Sequence, residues 1–315
     1  MRKSVVSMKI KEIVHVCMKA IYNSNARFFI KSKFGLSNNV PDEEYLKQIY
    51  KFRMGKELKL ENPITFNEKL QWLKLNDRRP EYTMMVDKYE VKKYVANVIG
   101  EEYIIPTLGV WNNVDEIDFS SLPSQFVLKC THDSGSLVIC KDKKSLDIEK
   151  AKEKLSKWLK RNLFWYGREW PYKNVKPRII AEQYMTDKTV CELRDYKIHC
   201  FNGMPKFVLV CSERFSENGI KEDFLDINWN KLPFKRPQLD CSEKELAKPI
   251  HFDKMLKLSE ILSKNIPFIR CDFYEINSKV YFGELTFYPA SGFEAFEPEE
   301  WDHKLGSWLE LPKKY

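Results

Sequence analysis

The sequence predicts an α+β protein, and three observations support this fold class. Helical patterns dominate the first third of the chain, a strand–turn–strand pattern with a long helix follows, and the remainder reads as mostly antiparallel strands with helices. No repeat and no Gly/Ser linker divides the 315 residues, so the chain suits one large domain or two to three closely packed lobes. We expect a helical N-terminal extension at residues 1–60 and an α-rich region at 61–122. A small hairpin–helix lobe at 123–185 and a C-terminal lobe at 186–315 are expected to follow.

Each element has its own signal in the sequence. Helices are predicted where apolar residues recur at helical spacing, and strands where they alternate or run unbroken. Thr65 and Glu68 predict a capping box at the start of one helix, and Gly100 is the expected stop of another. The predicted helices cover 41–55, 65–76, 86–100, 146–166 and 252–265, the predicted strands cover 178–185, 193–201 and 206–213, and hairpins are predicted in "SQFVLKCTHDSGSLVICKD" and at 268–292.

The composition limits the classes of ligand and partner. The chain has 53 basic and 45 acidic residues and a net charge of +8, which favours anionic ligands such as nucleotides, phosphates or acidic sugars. It carries no nucleic-acid-binding signature, so we expect no nucleic-acid partner. None of the eight cysteines forms a CxxC pair and the five histidines lack ligand spacing. We therefore expect no zinc site, and we expect the cysteines to be reduced core residues.

The first 22 residues carry a basic amphipathic pattern. The chain has no run of about 18 apolar residues, so no membrane-spanning helix is predicted, and charges interrupt this segment too often for a signal-peptide core. A basic amphipathic helix lies either on a membrane surface or against a protein surface. We therefore expect a cytoplasmic protein whose N-terminal helix contacts the inner face of the membrane or a partner. The apolar face of this predicted helix comprises Val6, Ile10, Ile13, Val14, Cys17 and Ile21.

A lysine lies inside the apolar strand pattern of "FVLKCTHDSGS". Burying Lys129 there needs an anion to offset the loss of hydration. Ser134, Gly135 and Ser136 follow, and the backbone N–H groups of such small residues can approach a phosphate closely. The segment is therefore typical of a nucleotide polyphosphate site. A hairpin turn with a lysine that extends to solvent is the alternative.

Two later strands also carry polar residues in apolar patterns. In "RIIAEQYM", the end of a strand presents Glu182, Gln183, Tyr184 and Met185, which could hold a purine through backbone and apolar contacts, or form an ordinary edge strand. In "LRDYKIHCFNG", Lys197 and His199 share one strand face. That face either contacts a charged ligand, with Arg194 at its edge, or lies in solvent.

The hairpin "FIRCDFYEINSKVYFGELTFYPASG" holds the strongest pattern. Arg270 and Asp272 share one face of its first strand, and Glu284 and Thr286 share one face of its second. Oxygen ligands without His or Cys indicate a hard cation such as Mg²⁺. A two-residue turn at 277–278 would pair Asp272 with Gly283, so a metal site requires a three-residue turn or a bulge. A structural Arg–Asp pair beside an exposed glutamate is the alternative.

In this order, the segments resemble the ATP-grasp superfamily, and within it the TupA-like family of teichuronopeptide biosynthesis. "VLKCTHDSGS" is similar to the strand lysine and phosphate-covering loop, "IIAEQYM" to the adenine-binding linker, and "IRCDFYEINSKVYFGELTFYPASG" to the closing signature. "TFNEKLQWLKL", "DKYEVKKYV" and "LRDYKIHCFNG" extend the resemblance over roughly residues 60–310. It implies an ATP-grasp fold in which two α+β lobes enclose ATP, after an α-helical N-terminal region.

The resemblance also implies a role for each candidate residue. Lys129 and Lys88 would contact the phosphates of ATP, and Ser134 to Ser136 would cover those phosphates. Lys92 or Lys93 could take the place of Lys88. Glu182 and the backbone of Gln183, Tyr184 and Met185 would hold the nucleoside. Asp272, Glu284 and Thr286 would bind Mg²⁺, although Thr286 replaces the usual Asn and is a weaker ligand. Arg270 would steady the transferred phosphoryl group, and Lys197 would be the second catalytic residue.

The leading hypothesis is an ATP- and Mg²⁺-dependent carboxylate–amine ligase with an acyl-phosphate intermediate. The resemblance implies a role in surface or capsular polysaccharide, or peptidic-polymer, assembly, with an acidic small molecule or glycan and an amine as substrates. A capsular glycosyltransferase is the first alternative, although the chain lacks the D-x-D motif of the metal-dependent type. A non-catalytic module that binds nucleotide or a membrane surface is the second.

Overall fold

The computed structural model describes residues 24–187, 194–213, 219–243 and 245–313. The predicted amphipathic helix within residues 6–21 lies outside the described residues, as do Cys17 and Cys191. The six other cysteines are free thiols, and five of them are buried while Cys241 is half-buried. The prediction of reduced core cysteines is therefore confirmed for these six, with Cys241 only partly in the core.

From Ser24 onward, five α-helices precede the first strand. The capping box predicted at Thr65 and Glu68 is confirmed, because each residue's side chain accepts a hydrogen bond from the other's backbone N–H. The helix predicted over 86–100 begins only at Glu90, since the carboxylate of Asp87 accepts from the N–H groups of Tyr89 and Glu90. The helices are α1 (Ser24–Lys33), α2 (Asp42–Met54), α3 (Phe66–Asn76), α4 (Glu81–Val86) and α5 (Glu90–Ile99).

The first sheet is antiparallel and has the strand order β1-β4-β2-β3. Its edge strand β1 was not predicted from the sequence. The helix predicted over 146–166 is wrong in extent, because it ends at Leu159 and a separate short helix begins at Phe164. The elements are β1 (Thr107–Trp111), β2 (Phe126–Cys130), β3 (Leu137–Cys140), α6 (Ile148–Leu159), α7 (Phe164–Gly167) and β4 (Ile179–Gln183).

The second sheet is also antiparallel, with the order β7-β6-β5-β8-β9. The sequence did not predict β7 or the last helix. The elements are β5 (Asp195–Phe201), β6 (Met204–Ser212), β7 (Lys221–Asp226), α8 (Phe252–Ser263), β8 (Phe268–Ile276), β9 (Lys279–Thr286) and α9 (Glu300–Trp308). Short 3₁₀ turns lie at Glu101–Tyr103, Val114–Glu116, Lys143–Ser145, Trp170–Tyr172 and Pro289–Gly292.

Each sheet has its own hydrophobic core. The larger core packs α3, α5 and α8 against the second sheet, and a smaller core lies between α6 and the first sheet. A third cluster joins α2 to Phe293. In the part of the chain that the structure describes, no helix is long and apolar enough to cross a membrane.

A buried polar stripe on α3 binds the backbone that follows β9. Asn67, Gln71 and Lys74 are fully buried and recur at helical spacing. Asn67 exchanges hydrogen bonds with the backbone of Glu294, and Gln71 donates to the carbonyl of Gly292 at 2.6 Å. Lys74 donates to the carbonyls of Ser291 and Gly167 at 2.8 and 2.7 Å, respectively. This stripe fixes the path of the chain beyond the hairpin.

Candidate active site

A cavity of about 260 Å³ lies between the two sheets. It is lined by residues from the first sheet, from α5 and from the hairpin of the second sheet. Nine of the predicted site residues line it: Lys88, Lys129, Ser134, Gly135, Ser136, Glu182, Lys197, Asp272 and Glu284. Gln183, Tyr184, Met185, Thr286 and Arg270 are not among the lining residues, although Arg270 contacts both hairpin carboxylates.

A bulge brings Asp272 and Glu284 to the same face of the hairpin. The turn has two residues, Asn277 and Ser278, with φ values of 50° and 57°, as a type I′ turn requires. Ile276 therefore pairs with Lys279, but the register shifts between Asp272 and Phe273, so Asp272 lies opposite Glu284. Of the two arrangements that could join the carboxylates, the three-residue turn is wrong and the bulge is present.

Gly283 is the additional residue in this bulge. A Cβ at this position would lie 3.0 Å from the carbonyl oxygen of Asp272 and 3.1 Å from the ring of Tyr274. The absence of a side chain therefore eases the close approach of backbone to backbone here. The pattern of the sequence required a three-residue turn or a bulge but did not give the position of the bulge.

Arg270 and Lys197 neutralise the buried carboxylate of Asp272. Arg270 donates to its two oxygens at 2.6 and 2.7 Å, and Lys197 donates at 2.7 Å. Burial raises the pKa of Asp272, but the charges of Arg270 and Lys197 outweigh it and lower the pKa to about 2. Asp272 is therefore ionised at neutral pH.

Arg270 also reaches the second carboxylate of the hairpin. Its Nη2 donates to Glu284 at 2.9 Å, and the Glu284 side chain remains 45% exposed. Burial alone lowers the pKa of the Arg270 guanidinium, but Asp272 and Glu284 raise it above the ordinary value. The guanidinium thus stays charged between two carboxylates that face the cavity.

Asp195 is a third carboxylate in the cavity, and the sequence analysis missed it. It is 4% exposed and lies 3.3 Å from the ammonium of Lys197, which it shares with Asp272. Its neighbour on the same strand face, His199, is buried and stacks on Phe207 at 4.2 Å, so this histidine lies in the core. Alternation of apolar and polar residues in "LRDYKIH" was the signal that could have identified Asp195.

Two lysines bind one buried carboxylate on the opposite wall. Lys129 and Lys92 each lie 2.5 Å from a different oxygen of Glu182. Burial raises the pKa of Glu182, but the two lysines more than offset this and lower it. Lys92 also donates to the carbonyl of Ile105 at 2.7 Å, and burial lowers its own pKa. Lys93 is exposed and does not line this cavity.

The loop at Ser134 to Ser136 is held by its own hydrogen bonds. The hydroxyl of Ser136 donates to the carboxylate of Asp133 and accepts from the N–H of Cys130 at 3.0 Å. The ammonium of Lys88 donates to the carbonyl of Asp133. Gly135 has a φ of 80° and no atom near its missing side chain. The exposed part of the loop therefore presents backbone and Ser134, while the Ser136 side chain is occupied internally.

Apolar side chains line the rest of the cavity. They belong to α5, to the segment before β1, to β3 and to the hairpin, and they supply the apolar surface that a purine ring needs. The sequence analysis did not identify them, because their separation along the chain hides their proximity. They are Val91, Ile104, Ile105, Leu137, Tyr274 and Phe282.

Two antiparallel sheets that enclose a lysine-lined cavity, with paired carboxylates on a hairpin, define a protein of the ATP-grasp class. Residues 68–310 match the family model described as TupA-like ATPgrasp, which is more than half of the chain. The chain therefore belongs to the TupA-like ATP-grasp family. The predicted family and the predicted ATP-grasp fold are both confirmed.

Solved structures of ATP-grasp ligases are similar at low identity. The D-alanine–D-alanine ligase of Bacillus anthracis, complexed with ATP, is 13% identical and has a TM-score of 0.40. The match covers 65% of the present chain and 55% of the ligase chain. The D-alanine–D-alanine ligase of Helicobacter pylori is 16% identical, with a TM-score of 0.35 over 72% and 62% of the two chains. The ligase PsnB, complexed with a minimal precursor, Mg and ADP, is 7% identical, with a TM-score of 0.37 over 70% and 57%.

The matched part of each of these solved chains is thus less than two thirds of its length, between 55 and 62%. The search of curated proteins finds no match. Membership of the family therefore rests on the family model.

Proposed function

We propose that this protein is an ATP- and Mg²⁺-dependent ligase that joins a carboxylate to an amine. The observation that carries the proposal is the placement of Asp272 and Glu284 on one face of the hairpin, toward the cavity that Lys88 and Lys129 line. Paired carboxylates opposite lysines suit a magnesium–polyphosphate complex, because Mg²⁺ takes one or two carboxylates and completes its ligands with phosphate and water.

The residues present fit both ATP and Mg²⁺. No group of three or more His, Cys, Asp or Glu side chains is arranged as a metal cage among residues that the structure describes, which agrees with an ion that is shared with phosphates. Asp272 and Glu284 would hold the ion, with Thr286 as a further ligand. Lys88, Lys129 and the loop of Ser134 to Ser136 would hold the phosphates.

The nucleoside would lie at the apolar end of the cavity. Glu182 and the backbone of Gln183, Tyr184 and Met185 would bind it. The N–H of Gln183 donates to the carbonyl of Pro106 at 3.0 Å, so the start of this linker is held against the segment that carries Ile104 and Ile105. The lobes of this nucleotide site would be residues 123–185 and 186–315, preceded by the regions 1–60 and 61–122.

The proposed chemistry depends on the charge that Arg270 and Lys197 carry. ATP with Mg²⁺ supplies a phosphoryl group that converts the substrate carboxylate into an acyl phosphate, which an amine can attack. Arg270 is oriented by two carboxylates and Lys197 by Asp272 and Asp195. Groups held in this way can stabilise charge on phosphoryl oxygens without reorganising during the reaction.

We propose an acidic sugar or glycan as the carboxylate substrate, in surface polysaccharide or peptidic-polymer assembly in the cytoplasm. The support for this is the TupA-like family model together with the basic balance of the chain, which suits acidic substrates. Contact with the inner membrane face through the N-terminal residues would place the protein near such assembly.

The test is ADP release from ATP and Mg²⁺ in the presence of uronic acids, amino acids and both together. We expect ADP and an amide product only when acid and amine are both present. Release of nucleotide from a sugar nucleotide without ATP would instead identify a glycosyltransferase. A protein that binds ATP but forms no product with any acid and amine pair would contradict the ligase proposal.

A further inference from the structure

Two large apolar side chains project from the loop between α1 and α2. Phe34 is 77% exposed and Leu36 is 73% exposed, and among the large apolar residues that the structure describes only Ile250, at 79%, is comparably exposed. We call residues 33–36 the loop tip. A single exposed apolar residue is ordinary, whereas two such residues in one short loop form a candidate interaction site.

The loop tip is held in this exposed position. The N–H groups of Phe34 and Leu36 both donate to the carbonyl of Lys31 at 3.1 Å. The next residues are fixed by Arg168, which is fully buried and whose Nη2 lies 2.9 Å from the carbonyl of Ser37. The same Nη2 also donates to the carbonyls of residues 38 and 40, both at 3.2 Å. The loop is therefore anchored to the segment around α7 and does not fold back to bury its apolar side chains.

The segment that carries the loop tip is basic, and the acidic residues Asp42, Glu43 and Glu44 follow it at the start of α2. Residues 24–41 contain three basic residues and no acidic one. Lys31 and Lys33 lie in the last turn of α1 and are exposed. Tyr166, from α7, is 44% exposed, and its ring centre lies 5.3 Å from the ammonium of Lys33. Aromatic and lysine side chains with one apolar and one polar end are typical of membrane interfaces.

We propose that the loop tip docks on an anionic phospholipid bilayer, with Phe34 and Leu36 inserted between the lipids and Lys31 and Lys33 at the headgroups. The charge of the patch complements such a surface. Two apolar side chains that insert between lipids require no matching groove, whereas a protein partner would have to provide one. Weak insertion combined with several basic residues gives reversible binding. The docking site lies outside the proposed nucleotide cavity and does not depend on the ligase chemistry.

The test is co-sedimentation of the full chain with vesicles of phosphatidylcholine alone or mixed with phosphatidylglycerol. We expect binding to the mixed vesicles and little binding to phosphatidylcholine alone. The double variant Phe34→Ser, Leu36→Ser should bind the mixed vesicles roughly tenfold more weakly or worse. Lys31→Glu should weaken binding about fivefold or more. Ile250→Ser is the matched control, because it removes an equally exposed apolar side chain elsewhere and should leave binding unchanged.

Three results would overturn the proposal. They are no vesicle binding by the unmodified protein, equal binding by the double variant, and an equal loss in Ile250→Ser. A dimer that the double variant dissociates, in the absence of vesicle binding, would identify the loop tip as an interface between copies of this chain. Thermal unfolding of all variants should be unchanged, since these side chains contribute little to the core.

Discussion

Lys197 and Asp272 face each other across β5 and β8, and their side chains form an ion pair of 2.7 Å. Both residues line the cavity, and Arg270 binds the same carboxylate. Asp272 thus joins the neighbouring strands β5 and β8 of the second sheet and belongs to the proposed metal site. Protonation of Asp272 would break this ion pair, so the stability of the second sheet depends on pH.

We expect a part of the protein's stability to be lost between a pH of about 4 and about 2. Asp272 has a pKa of about 2 in the folded protein, against an ordinary value of 3.8. The unfolded chain therefore binds a proton first as the pH falls, and the contribution of this group is complete above a pH of about 4 to 5. It amounts to about 2 kcal/mol and disappears as the pH falls to about 2.

Urea unfolding over this pH range measures the effect. Lys197→Met should reduce the dependence of the unfolding free energy on pH, because the pKa of Asp272 is then less depressed. Lys206→Met removes an exposed lysine of β6 and serves as the control. Identical pH profiles for the unmodified protein and Lys197→Met would contradict the assignment of this pKa shift to the ion pair.

Glu284→Gln should abolish ATP turnover and leave the fold intact. The substitution removes the charge that Mg²⁺ would bind, and the side chain is 45% exposed, so the unfolding free energy should change by less than about 1 kcal/mol. Asp272→Asn should also abolish turnover but should destabilise the protein, because it removes the buried negative charge that Arg270 and Lys197 share. The measurements are Mg²⁺-dependent ADP release and urea unfolding.

Glu260→Gln is the control for these two variants, since Glu260 is an exposed residue of α8. It should retain full activity and stability. Turnover retained by Glu284→Gln would remove the metal role from this residue, even if the ligase reaction itself were established.

Lys92→Met should weaken ATP binding and destabilise the protein, whereas Lys93→Met should do neither. Lys92 binds Glu182 and the carbonyl of Ile105, so its loss leaves a buried carboxylate with one partner fewer. We expect a loss of about 2 kcal/mol in unfolding free energy and roughly tenfold weaker ATP binding, measured by titration calorimetry with Mg²⁺. Similar affinities for the two neighbouring variants would show that Lys92 has no part in the nucleotide site.

Lys74→Met should destabilise the protein by about 2 to 4 kcal/mol. Lys74 is fully buried, and its ammonium donates to Gln71, Gly167 and Ser291 at 2.7 to 2.9 Å. Methionine fills similar space but removes the side-chain donor to the carbonyl of Gly167 and one of the two side-chain donors to the carbonyl of Ser291. Lys257→Met, at an exposed position on α8, should change stability by less than about 0.5 kcal/mol. Equal unfolding midpoints in urea would contradict the role of Lys74 in joining α3 to the segment after β9.

Local signals predicted those features that depend on neighbours in the chain. Thr65 and Glu68 formed the expected cap because both partners lie within one helical turn. Strand alternation placed Arg270 with Asp272 and Glu284 with Thr286, and the metal hypothesis required either a three-residue turn or a bulge to bring the two carboxylates together. The position of the bulge did not follow from alternation, because it depends on the close approach of Gly283 to the strand across the hairpin.

Features that depend on distant segments could not be predicted in this way. Asp195 becomes a site residue only when α5, β4 and the second sheet surround one cavity. Strand β1 is short, and part of its surface is exposed, so its apolar pattern is weak. Its partner, β4, lies about 70 residues later, and a pairing at this distance leaves no mark in the local sequence.

The polar stripe of α3 contacts the segment after β9 almost entirely through that segment's main chain. Asn67, Gln71 and Lys74 bind carbonyl and N–H groups of residues 291–294. Within this segment Gly292 has a φ of 63°, and a Cβ there would lie 2.5 Å from the side-chain nitrogen of Gln71. Although the stripe contacts only main-chain atoms at this position, the close approach and the backbone conformation together favour glycine there.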